Sequence, residues 1–258
     1  MAFLSNVPIE DPAKTYNHGI VMRNRRVRRF NSPRTNPSWL SPKLSSWSTS
    51  TESALRFLRG TFHSRFDVKD TCISMIEQLR SVGVAAIWVI REMVTSDQLE
   101  RISATDLLKY LALQLLVLNP NIRSEKGMAL SSARLNSATT EGDWFEILGS
   151  LLRDFAKDLY IFVDLELLGS ALVAESPTRL SWPIKFLDLF RRLADQGCEA
   201  KVRVLLFNYG SPNPFAQEQI EGLSDVTVTV RDPPRNPRQK RILDRRQRAV
   251  GQRSRVYR

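Results

Sequence analysis

Histidine and cysteine are scarce in this chain, with two of each in 258 residues. Cys72 and Cys198 stand far apart, no CxxC pair occurs, and His18 and His63 are the only imidazoles. That excludes a disulfide scaffold and a structural zinc site of ordinary spacing. A reducing, intracellular compartment, cytoplasmic or nuclear, is the expectation from such cysteine usage. Long hydrophobic runs are missing as well. The longest uninterrupted apolar stretch, residues 84–90, is far short of the roughly 18 residues that span a bilayer, so no membrane span is expected. The opening residues put no basic segment ahead of their brief apolar stretch and do not read as a secretory signal.

What remains is an ordinary globular composition, 42% hydrophobic and 25% charged. The net charge of +11 is unevenly placed. Residues 1–50 carry +6 and residues 231–258 carry +9, which leaves the span 51–230 at −4. The division expected is a basic, Pro/Ser-rich tail over 1–50, an α/β domain over 51–231 and an Arg-rich tail over 232–258. Both tails read as poorly ordered, the first through Pro33, Pro37 and Pro42 and its Ser/Thr-rich stretch, the second through Pro233, Pro234 and Pro237. Arg23, Arg25, Arg26, Arg28 and Arg29 in the first, with Lys240, Arg241, Arg245, Arg246 and Arg248 in the second, are candidates for salt-sensitive contact with a polyanion such as nucleic acid. Trp39 and Trp47 could anchor the first tail by docking back on the domain.

The middle span alternates strand and helix signals. Strands are expected at 54–59, 84–90, 159–164 and 202–208, with 225–230 joining at an edge. Between them lie a helix over 67–80, a helix opened by Ser103 and Asp106 and stopped at Asn119-Pro120, a helix opened by Thr140 and Asp143, and a helix from about Pro183 to Asp195 with proline in its first turn. Continuous apolar strands separated by helices demand a parallel sheet covered on both faces, a three-layer α/β/α domain. In such sheets ligands collect beyond the carboxyl ends of the strands. That directs attention to residues 60–67, Arg91, 164–166 and 208–210.

A hydrophobic strand running into a loop led by Gly60, then Tyr160-Ile161-Phe162-Val163-Asp164, then Val204-Leu205-Leu206-Phe207-Asn208, resembles the Walker A, Walker B and sensor order of a P-loop NTPase. The phrases over residues 106–116 and 138–144 resemble the NACHT-like nucleotide-binding cores of fungal STAND proteins. The likeness covers roughly residues 52–231. It implies ATP or GTP bound with magnesium and used as a conformational switch for signalling or oligomerisation. Gly60, Arg65, Lys69, Asp164 and Asn208 are the candidate nucleotide-site positions in this sequence, with Asp164 the candidate metal ligand.

The phosphate loop itself departs from the pattern. With Gly60 as the first glycine, Arg65, Phe66 and Asp67 stand where glycine, lysine and Ser/Thr belong. Asp67 followed by Asp70 reads as a helix N-cap and first-turn acid, which places protein carboxylate where phosphate would sit. Asp164 could bind magnesium with Glu166 orienting a water, or could cap the turn that follows it. Asn208 also fits the start of an Asn-Tyr-Gly turn. His63, Ser64 and Asp67 lie too close together on one loop to form a catalytic relay. Cys72 falls on the apolar face of its helix, and Trp88, Trp144 and Trp182 read as core.

The expectation is therefore a non-catalytic or weakly nucleotide-binding STAND/NACHT-like module acting in protein–protein signalling or assembly. The alternatives are an ATP/GTPase switch that uses Arg65 or Lys69 as its cation, and a nucleic-acid-binding protein acting through its basic tails.

Overall fold

The computed structural model describes residues 11–30, 41–91, 102–119, 134–155, 157–168, 178–209 and 226–230. Its centre is a five-stranded sheet of β1 (Ala54–Arg59), β2 (Ala85–Val89), β3 (Leu159–Asp164), β4 (Val202–Asn208) and β5 (Thr227–Thr229). The strands lie in the order β2-β3-β4-β1-β5 and every pairing is parallel. This is a three-layer α/β fold built on a parallel sheet. β1, β3 and β4, the strands expected to bear the Gly60, Asp164 and Asn208 positions, end side by side.

Why the sheet is parallel and central follows from its side chains. Every residue of β3 and β4 is buried, and successive side chains go to opposite faces. Leu159, Ile161 and Val163 join one core with Val202, Val204 and Leu206. Tyr160, Phe162, Leu205 and Phe207 join the other.

The first core is closed by three helices, α4 (Ala104–Leu118), α5 (Glu141–Arg153) and α6 (Thr178–Asp195). Ser103 accepts the Asp106 N–H at 3.0 Å to start α4. Thr140 and Asp143 form a reciprocal capping box at the start of α5. Helix α6 begins earlier than the proline signal suggests. Pro183 lies inside the helix rather than in its first turn, where it leaves one intrahelical hydrogen bond unmade. Gln114 of α4 accepts the Trp88 N–H at 3.1 Å and donates to the Trp88 carbonyl at 2.9 Å. Its amide thus stands in for a neighbouring strand on the β2 edge, which would otherwise invite pairing.

The second core is closed by α1 (Pro12–Phe30), α2 (Pro42–Ser48) and α3 (Arg65–Ser81). Here the expectation of a poorly ordered leading tail fails for residues 12–30 and 42–48. Ser41 caps α2 by accepting the Leu44 N–H, and Trp47, 1% exposed, packs edge-on against Tyr160 and Phe162. The Trp47 indole N–H donates to the Ala54 carbonyl at 3.1 Å. Helix α1 lies on α3. Arg26 forms a two-point pair with Asp70, Arg23 reaches Glu77 at 2.8 Å and Ser74 at 2.9 Å, and the Trp88 indole donates to the Pro12 carbonyl at 3.0 Å. Arg23 and Arg26 of the arginine run are thereby engaged within the protein, while Arg25 and Arg28 face solvent. Trp39 and the 240–248 run lie outside the described residues.

Candidate functional site

The ends of β1, β3 and β4 face a common region, because β4 pairs with both of the other strands. Chain leaves β1 for α3 on one face of the sheet and leaves β3 for α6 on the other. Such a divergence is where a crevice opens in doubly covered sheets.

Four residues, 61–64, connect Gly60 to α3, and they fold onto themselves. Ser64 is fully buried. Its hydroxyl accepts the Thr61 N–H at 2.7 Å, and its own N–H donates to the Thr61 carbonyl at 3.1 Å. The Gly60 N–H donates to the Asn208 carbonyl at 2.8 Å. A Cβ on Gly60 would lie 2.6 Å from Val68 Cγ2 and 2.9 Å from Ser64 Oγ. Glycine is needed there so that the loop can close on its own helix against Ser64 and Val68.

Asp67 does not cap α3. The helix starts two residues earlier than expected, at Arg65 with Ser64 in the N-cap position, and Asp67 sits in the first turn. There its carboxylate favours the positive end of the helix dipole. Arg65 is turned to local contacts, with its guanidinium donating to the Phe62 carbonyl at 2.7 Å and lying 3.6 Å from the Phe62 ring centroid.

Lys69 and Asp164 do come together. Asp164 is fully buried at the end of β3. Its Oδ2 accepts the Arg91 N–H at 3.1 Å and the Tyr209 hydroxyl at 3.0 Å, and its Oδ1 accepts the Glu166 N–H at 3.1 Å. Lys69 Nζ stands 3.9 Å from Oδ2, donates to the Arg91 carbonyl and lies 5.1 Å from the Tyr209 ring centroid. Burial dominates the electrostatics. It pushes the Asp164 carboxyl above its ordinary value against the pull of Lys69 and the three hydrogen bonds. It pushes Lys69 down, opposed by Asp164 and reinforced by Arg91 and Arg26. Burial next to Asp164 also holds the Tyr209 hydroxyl protonated far into the alkaline range and raises the neighbouring Cys72 thiol.

The Asp164 oxygens thus receive three hydrogen bonds and face a lysine. Glu166, expected to orient a water, accepts the Tyr209 N–H at 3.2 Å instead. Asn208 is buried, 4% exposed. Among the described residues no cluster of three His, Cys, Asp or Glu side chains could hold a metal, and no helix is long and apolar enough to cross a membrane.

Sequence reasoning missed Tyr209 as a member of this group. Its position directly after β4 was the available signal, since residues beyond strand ends converge there. Nothing in the one-dimensional pattern shows that the phenol turns back to Asp164.

No family model matches the chain, and no curated protein matches it. Among solved structures, the Aeropyrum pernix ORC1 protein in complex with DNA aligns over 96% of this chain and 52% of its own, at 16% identity and a TM-score of 0.40. The Aeropyrum pernix ORC2 protein, in ADPNP–ADP complexes, aligns over 73% of this chain and 44% of its own, at 12% identity and a TM-score of 0.41. The chain spans about half the length of these two proteins. At such TM-scores neither likeness bears on function.

Proposed function

We propose that this chain is a P-loop-type α/β module that has replaced its phosphate and magnesium contacts with internal ones, and that it serves protein–protein signalling or assembly in the manner of the NACHT-like STAND cores it resembles. The observation that carries this reading is the commitment of Asp164. An acid at the end of the third strand acts on a nucleotide through a metal ion, and here its oxygens receive Arg91, Glu166 and Tyr209 while Lys69 supplies the opposing charge.

The filled loop at Gly60 supports the same reading. Anion sites at helix starts depend on open backbone N–H groups, and a Ser64 side chain folded into that turn narrows the approach. The reading of an active ATP/GTPase switch relied on Arg65 or Lys69 as its cation. Arg65 is held by Phe62, and Lys69 by Arg91 and Asp164. The module then works as a rigid scaffold whose exposed apolar side chains, Ile184 and Leu187 on α6 among them, offer contact area to a protein partner.

Turnover of ATP and GTP by the full chain with magnesium tests this. The reading expects phosphate release no faster than in the Asp164→Asn protein. Turnover that Asp164→Asn abolishes would overturn it.

A further inference from the structure

A cavity of about 50 Å³ lies between α1 and the first half of α3, next to the end of β2. We propose that this cavity binds a small oxyanion of phosphate size, held by the Arg91 guanidinium and clamped under α1.

Arg26, Lys69 and Arg91 are among the residues that line the cavity, together with a single acid, Asp70, and most of its accessible wall is apolar. Asp70 is taken up by its two-point pair with Arg26. The Lys69 ammonium is directed to the Arg91 carbonyl and toward Asp164. That leaves Arg91. Its backbone N–H and carbonyl are both used, but its guanidinium makes no ion pair and no hydrogen bond among the described residues.

Like charges gathered in this way repel one another. Arg91 and Arg26 both work against the charge on Lys69, after burial has already done so. Much of the remaining wall is apolar, with Met22, Phe66 and Ile90 among its members. An apolar surround lowers the local dielectric and sharpens both the repulsion and the gain from an anion that relieves it. A planar guanidinium matches the geometry of a phosphate or similar oxyanion, with two parallel N–H donors.

Size selects within that class. A water needs roughly 10–15 Å³ of such space, so the cavity of about 50 Å³ holds a group of a few heavy atoms. Because α1 forms one wall, through Thr15, His18 and Arg26, an occupant would also tie α1 to the domain. The cavity shares Lys69 and Arg91 with the Asp164 network but none of the residues 60–64, and a failure to bind phosphate would leave the internal contacts of Asp164, and so the preceding reading, untouched.

Calorimetric titration of the full chain with sodium phosphate, against sodium chloride at matched ionic strength, tests the proposal. Saturable binding is expected. Arg91→Ala should weaken it roughly tenfold to a hundredfold, the scale of a lost charge-assisted contact, while a protein carrying both Arg153→Ala and Arg191→Ala, exposed side chains on the helices of the other core, should bind as the parent does. Arg91→Gln carries the same test if the alanine variant melts early. No saturable binding at tens of millimolar phosphate would overturn the proposal, as would undiminished affinity in the Arg91 variants.

Discussion

The Tyr209 hydroxyl donates to Asp164 Oδ2 at 3.0 Å, the same oxygen that receives the Arg91 N–H. A residue at the exit of β4 is thereby joined to one at the exit of β3, a strand that β4 pairs with. Because Tyr209 stays protonated throughout the accessible pH range, it acts as a fixed donor to a buried carboxylate.

Tyr209→Phe keeps the ring over Lys69 and removes that donor. Asp164 then remains buried with one hydrogen bond fewer, and the expected loss is about 1–3 kcal/mol in urea unfolding. A change within a few tenths of a kcal/mol would mean that Asp164 already has other company, solvent or metal, in solution.

Trp47 is the anchor of α2 on the sheet. Trp47→Ala removes a side chain only 1% exposed and orphans its hydrogen bond to Ala54, so a cost of about 3–5 kcal/mol is expected. Deleting residues 1–50 should lower the melting temperature at least as far. A deletion protein that melts with the parent would show that the first 50 residues are a tail after all.

Asp143 gives an acid-side signature. Hydrogen bonds from the Thr140 backbone, the Thr140 side chain and the Thr139 backbone hold its carboxyl below the usual 3.8. A carboxyl lowered in the folded state contributes stability that is fully present above 3.8 and is lost as pH falls through the lower, folded value. Asp143→Asn should flatten the pH dependence of stability below pH 4 and leave its slope near neutrality unchanged. Melting curves across pH 2–7 provide the check, and an unchanged acid limb would contradict the capping role.

The sheet was legible because its signals are strong and local. The apolar alternation at 54–59 and the largely apolar runs at 159–164 and 202–208 each need an interior to face, and the structure places strands there with the same bounds. The two serine and threonine caps were legible for the same reason, since a capping residue and its acid lie three positions apart. Helix α1 was hidden. Its proline-containing surroundings and five arginines read as solvated chain, and only the three-dimensional partners Asp70, Ser74, Glu77 and Trp88 show how it is retained. Within the candidate site, motif order points to Gly60, Asp164 and Asn208, and Lys69 enters only as a candidate cation beside the departing loop. The filling of the site does not follow from that order, because Ser64, Arg91 and Tyr209 act through contacts that no fixed sequence spacing encodes.

Equilibrium binding of magnesium–ATP to the full chain, followed by calorimetry, addresses the self-filled site most directly. With Asp164 held by Tyr209, Arg91, Glu166 and Lys69, and the Gly60 turn closed by Ser64, the titration should show no magnesium-dependent saturation up to millimolar nucleotide. Saturable binding that requires magnesium and weakens in the Asp164→Asn protein would contradict the account, placing an open nucleotide site where the structure has its internal network.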